Sequence, residues 1–213
     1  RKYINIPIEE GIFSLRGLNP KRLRFEIEYG LERGTTANSF LITTTNNSAI
    51  DENKTILIHP PGISFKEIFL EALSKVLPEK SNNLLIVIGH VNPNRIELLK
   101  KLASLYSNVT LICSSPGSKL LKELWHQQKP TKPGNKNISE SFIPEIPKIH
   151  IVKKQEIIEI GNQYQLQLIP APTARWPGGL LAFEKTLGLL MSDKFFAAHL
   201  CTENWEEVTR TST

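Results

Sequence analysis

Residues 84–89 read LLIVIG, a near-continuous apolar run with no polar face. A half-exposed strand alternates, whereas a run of this kind needs apolar cover on both sides. The chain must therefore build a sheet held between other layers. Upstream, YINIPI, GIFSLRG, RLRFEIE, NSFLITT and KTILIHP alternate or are rich in β-branched and aromatic residues. Gly11, the Asn19-Pro20 pair, Gly30, Gly34 and the polar stretch NNSAIDEN separate them as turns. The period then changes. In SFKEIFLEALSKVL, residues Ile68, Phe69, Leu73, Val76 and Leu77 share one helical face. Ser64 and Glu67 form a Ser-x-x-Glu capping box, which predicts a helix starting there.

After LLIVIG the pattern predicts a helix over about 94–106, a strand at VTLICS, and a helix capped by Ser115 with Pro116 in its first turn. Residues 127–148 hold four prolines and little periodicity, and are read as a loop or insertion. Strands return in KIHIV, EIIEI, YQLQLIP, LLAFEK and LGLLMS, the last two joined by a turn at EKTLG. A block of meandering strands followed by strand–helix alternation predicts an α/β (α+β) fold of mixed sheets flanked by helices.

Composition narrows the function classes. The 213 residues are 40% hydrophobic, enough for a sizeable core in one large domain or two small ones. The formal charge of +5 comes from basic residues scattered among acidic ones, as in KELWHQQK and KKQEIIE. That is a solvated surface and not the basic stripe of a nucleic-acid binder. No apolar run approaches the roughly 20 residues of a membrane span. Two cysteines, Cys113 and Cys201, make no disulfide framework and are read as reduced thiols. With no secretory pattern, a cytoplasmic location is expected.

Three loops follow predicted strand ends: GHVNPNR after LLIVIG, APTARWPGG after YQLQLIP, and SDKFFAAH after LGLLMS. Strand-end loops on a rigid scaffold commonly carry sites. GHVNPNR places His90, Asn92, Asn94 and Arg95 so that several side chains could aim at one point. Asparagine, however, is a poor transition-metal ligand and arginine is none.

GHVNPNR resembles the His-x-Glu-x-Asp-His motif of metallo-β-lactamase-like proteins. More narrowly, FEIEYGLERGTTANSFLI, LIPAPTARWPGG and LLMSDKFFAAHLC, in this order, resemble segments of flavodiiron proteins of the multidomain cyanobacterial class. The resemblance implies an αββα metallo-β-lactamase-like sandwich over residues 1–213, incomplete at its C-terminus. Flavodoxin-like and flavin reductase domains are expected downstream. It implies an NAD(P)H:oxygen oxidoreductase with a di-iron centre, FMN and a second flavin, working as a homo- or heterodimer with a paralogous subunit.

Carried over one position at a time, the resemblance keeps two of six metal-ligand positions, His90 and Asp193. Asn92 falls where the family has glutamate, Asn94 where it has aspartate, and Arg95 and Arg175 where it has histidines. Three carboxylates (−3) become one carboxylate and two guanidiniums (+1), a difference of four charges. At ~5 Å and an effective dielectric near 20, each unit of repulsion is worth roughly 3 kcal/mol. The expectation is a degenerate, iron-free pocket in which Arg95, Arg175 or both pair with Asp193. Leftover positive charge could hold chloride, phosphate or sulfate, and a non-catalytic anion-binding scaffold is the alternative. Trp176, next to Arg175, is read as packing the pocket wall, with electron gating as the alternative, and the resemblance sets His199 near the pocket. His59, before Pro60-Pro61, is read as a loop histidine without a role. His126 and His150 are read as surface or edge residues, and Glu203, Glu206 and Glu207 as a solvated face.

Overall fold

A computed structural model describes residues 1–21, 24–25, 29–30, 34–44, 54–77, 83–127, 144–196 and 201–203. Strands β1 (Lys2–Glu9), β2 (Ile12–Asn19), β3 (Arg24–Phe25), β4 (Tyr29–Gly30), β5 (Thr35–Thr43) and β6 (Lys54–Ile58) form the meandering block. Helix α1 (Lys66–Ser74), strand β7 (Asn83–Val87), helix α2 (Pro93–Leu105), strand β8 (Val109–Ser114) and helix α3 (Ser115–His126) supply the alternation. Strands β9 (Lys148–Val152), β10 (Glu156–Ile160), β11 (Tyr164–Pro170), β12 (Leu180–Glu184) and β13 (Leu189–Met191) follow.

A seven-stranded sheet runs β1-β2-β5-β6-β7-β8-β9, and a four-stranded sheet runs β10-β11-β12-β13. The first sheet is mixed: antiparallel through β1, β2, β5 and β6, then parallel from β6 to β9. The second is antiparallel throughout, not mixed as the sequence suggests.

Two apolar layers explain why LLIVIG has no polar face. Leu84, Ile86 and Ile88 join Phe69, Leu73, Leu98, Leu102, Leu121 and Trp125 on the helical side. Val87 turns the other way and meets Ile12, Ile58, Leu166, Leu168 and Ala182 between the sheets. Each fully buried side chain of this size contributes about 1.5–3 kcal/mol. Three of the four expected layers, α, β and β, are thus seen; no helix covers the four-stranded sheet among the described residues.

Local starts differ from the sequence reading in two places. Residues Ile63–Phe65 form a 3-10 turn before α1, and no side chain caps that helix, so the Ser64–Glu67 box is not used. Ser64 instead offers its carbonyl to Arg1. Helix α3 is capped one residue early, by Ser114, whose Oγ accepts from the Gly117 N–H at 3.3 Å. Most of the 127–148 insertion lies outside the described residues, but its end is tied down: Trp125 Nε1 donates to the Pro144 carbonyl at 2.9 Å.

Topology decides where a site can stand. Strands β6 and β7 are parallel neighbours, so the loops after both leave at the same edge. Strands β11 and β13 each pair antiparallel with β12, so they too end together. The Leu180 N–H donates to the Gly89 carbonyl at 3.3 Å and joins the two edges.

The β12–β13 hairpin is held by a carboxylate. Glu184 is fully buried. Its Oε1 accepts from the Gln165 and Thr186 N–H groups at 3.0 and 3.1 Å, and its Oε2 from the Leu187 N–H at 2.7 Å. Replacing Glu184 with Ala strands these donors and should cost about 2–4 kcal/mol. Urea unfolding of Glu184→Ala should show that loss, with Glu184→Gln recovering part of it.

Candidate metal-type site held by an ion pair

The loop after β7 turns at His90, passes Asn92 and enters α2. Asn92 is extended (φ −151°, ψ 163°) and its Oδ1 accepts from the Arg95 N–H at 3.0 Å, while Pro93 opens the helix. That is an ordinary helix N-cap. The Asn92 side chain therefore serves the backbone of α2. Asn94 is exposed in the first turn.

Arg95 points inward and is 8% exposed. Its Nη1 donates to Asp193 Oδ2 at 2.9 Å and its Nη2 to Asp193 Oδ1 at 2.8 Å. Nη1 also donates to the His90 carbonyl at 3.0 Å. Both carboxylate oxygens thus face one guanidinium, the geometry that makes such pairs strong. Burial raises the Asp193 pKa, but the Arg95 charge and its hydrogen bonds outweigh this and hold the carboxyl well below its ordinary range. Asp193 occupies the left-handed region (φ +52°), as does Phe196 (φ +56°), so this loop is bent tightly around the pair.

His90 is half-buried. Its ring meets Trp176 edge-on with centroids 6.3 Å apart. Burial, then the Arg95 charge, pull its pKa from 6.5 down to about 4, against an opposing pull from Asp193. Arg175 takes a different place from Arg95. It is exposed, and its Cζ lies 5.6 Å from the Trp176 ring centroid. Of the two arginines expected there, Arg95 is the one seen paired with Asp193; the loop that carries Arg175 is closed by Trp176, whose N–H donates to Thr173 Oγ1 at 3.0 Å and whose carbonyl accepts from the Gly179 N–H at 3.0 Å. His199, Glu206 and Glu207 lie outside the described residues.

His59 is the larger correction. It is 1% exposed, not a loop bystander. Its Nδ1 accepts from the Gly89 N–H at 3.1 Å, and its Nε2 lies 3.0 Å from the Met191 carbonyl. Burial lowers its pKa, the largest influence on it. Tyr3 was not singled out by sequence either. Its hydroxyl is buried beside Ser39, and its phenol lies within electrostatic reach of Arg95. The two residues could have been found only through pairing across the fold, since neither sits in a motif. His126 and His150 are exposed, as expected.

No three His, Cys, Asp or Glu side chains are grouped to hold a metal among the described residues. No helix among them is long and apolar enough to cross a membrane.

The chain matches the family described as ODP family beta lactamase over residues 35–213. It is 36% identical over 206 residues to diflavin flavoprotein A 4 of Nostoc sp. (strain PCC 7120), covering 94% of this chain and 31% of that protein. It thus spans less than a third of that relative. The metal-soaked Flv1 flavodiiron core from Synechocystis sp. PCC6803 superimposes with a TM-score of 0.78 at 33% identity, covering 95% of this chain and 44% of that one. Fragment 1–254 of diflavin flavoprotein A 5 from Nostoc sp. PCC 7120 gives 0.77 at 32% identity, over 98% of this chain and 74% of that one.

An imidazole that titrates near 6.5 unfolded and near 4 folded makes stability pH-dependent. Between those values the unfolded chain binds more protons. The contribution from His90 is therefore complete above about pH 6.5 and is lost as pH falls toward 4. NMR titration should find His90 neutral at pH 5, and Arg95→Met should raise its pKa by removing the neighbouring positive charge.

Proposed function

The chain belongs to the ODP family of metallo-β-lactamase-like domains found in diflavin flavoproteins and flavodiiron proteins, and from that premise we propose that it is the di-iron-type domain of an NAD(P)H:oxygen oxidoreductase whose own metal position holds no iron. In the longer protein, electrons would pass from NAD(P)H through a second flavin and FMN, the groups the family resemblance implies. Oxygen reduction would fall to a ligand-complete paralogous subunit, in a complex to which the longer protein contributes its flavin domains.

One observation carries the reading: the bidentate Arg95–Asp193 pair. An iron pair needs a bridging carboxylate with free oxygen lone pairs, and carboxylate or imidazole groups around it. Here the matching aspartate has both oxygens on a guanidinium that stays charged at any ordinary pH. Asn92 is spent as a helix cap, and Asn94 and Arg175 face outward. Of the six matching positions, all among the described residues, His90 alone remains as an uncommitted metal-type donor. For a cation to enter, Arg95 would have to leave, and breaking a buried pair costs about 3–5 kcal/mol. The residues present do not fit a di-iron centre, and no step of the reaction is assigned to one in this domain.

The alternative, an anion held by leftover positive charge, has less behind it. Asp193 neutralises Arg95, and Arg175 is exposed, with its Cζ over the Trp176 ring.

Two measurements test the proposal. The purified domain, incubated anaerobically with ferrous iron and desalted, should hold well under one iron per chain; near two would overturn it. Introducing Asn92→Glu, Asn94→Asp, Arg95→His and Arg175→His together should raise that content. For the full-length protein, NADPH-driven oxygen uptake should be small alone and appear when a ligand-complete paralogue is added.

A further inference from the structure

His59 has a left-handed backbone, φ +56°, which few residues other than glycine enter, histidine more often than most, and here it does so almost fully buried. Strain of this kind persists only where several contacts enforce it. Four hydrogen bonds do so here. Its backbone N–H donates to the Val87 carbonyl at 2.9 Å, and its carbonyl accepts from Ser39 Oγ at 2.9 Å. The ring accepts at Nδ1 from the Gly89 N–H and reaches the Met191 carbonyl with Nε2. A main-chain N–H on one side and a carbonyl on the other leave one neutral tautomer, with the proton on Nε2 donated to Met191.

The two ring partners are neighbours of the ion pair in sequence. Gly89 precedes His90, whose carbonyl accepts from Arg95. Met191 stands two residues before Asp193. One imidazole therefore joins the loop that leads into the cation's helix, on the seven-stranded sheet, to the loop that carries the carboxylate, on the four-stranded sheet. The fit is close: a Cβ on Gly89 would stand 2.6 Å from His59 Cε1. No side chain could replace that hydrogen atom without displacing the ring.

We infer that His59 is a positioning residue for the Arg95–Asp193 pair, setting the separation of the two loops so that the guanidinium meets both carboxylate oxygens. The inference goes beyond the redox reading and stands without it, since it concerns the pair and not the flavins or iron.

A double-mutant cycle tests it. Arg95→Met, Asp193→Asn and the double variant give the coupling between the two charges from urea unfolding. The cycle is then repeated in two backgrounds. His59→Asn tolerates the left-handed backbone and keeps an oxygen for the Gly89 N–H, but is too short to reach Met191. His59→Gln keeps the reach to Met191 and loses the acceptor for Gly89. If His59 positions the pair, the coupling constant falls at least tenfold in one or both backgrounds. A merely structural histidine would lower the stability of all four members of each cycle alike and leave the coupling unchanged in both, and that result overturns the inference. Should neither background fold, Ser39→Ala removes the hydroxyl on the His59 carbonyl while leaving the ring, and the same coupling decides. Iron analysis bears on the proposed function alone, so the two can fail separately.

Discussion

A guanidinium and a carboxylate, each about nine-tenths shielded from water, face each other in parallel at 2.8 and 2.9 Å. Neither charge could stay there alone. An unpaired ion at such a depth loses several kcal/mol of hydration, and a carboxylate left so would take up a proton. Together they cancel, and the cancellation has structural reach. Arg95 belongs to the first turn of α2, whose cap is the residue three before it, so its position is tied to where the helix starts. Asp193 belongs to a tight loop after the last described strand. The pair thus fixes a helix on one sheet to a loop on the other, at the edge where the parallel arrangement of β6 with β7, and of β11 with β13, brings strand ends together.

Much of this was legible because strands announce themselves by local chemistry. The run LLIVIG required two apolar faces and has them. The loops GHVNPNR, APTARWPGG and SDKFFAAH were marked by position alone, and the edge where they meet carries the ion pair. What could not be read was orientation. Arg95 and Arg175 looked equivalent, since each stood where a family histidine would. The difference lies in the backbone that carries them. A capped helix turns Arg95 inward, whereas the Thr173–Trp176 turn leaves Arg175 exposed over the indole. Asn92 looked like a failed ligand and is a working cap. His59, beside two prolines, offered no periodicity and no motif. Its ring reaches the carbonyl of Met191, 132 positions away, a pairing no local pattern contains.

The start of α1 has the same origin. Ser64 and Glu67 are spaced as a capping box, but the chain enters α1 through a 3-10 turn with Phe65 buried against the core. Burying that ring is worth more than a surface cap of about 1 kcal/mol. Tertiary packing overrode the local signal where an aromatic residue was at stake.

A metal ion in a protein does two separable things: it neutralises and gathers anionic groups, and it offers chemistry such as a change of oxidation state or a Lewis-acid face. A guanidinium performs the first and none of the second. It carries a fixed charge, binds a carboxylate through two directed hydrogen bonds and cannot accept an electron or coordinate oxygen. Under the proposal of a metal-free pocket, placing Arg95 on Asp193 keeps the architecture of the strand-end loops independent of any bound ion. On the proposed reading, what such a domain retains is shape: a rigid platform of two sheets on which the domains of a longer chain, and a competent neighbour, can be held at a working distance. Evolution of a redox role elsewhere in the assembly would place no further demand on this pocket than that it stay closed, and a buried, charge-balanced pair meets that demand without iron.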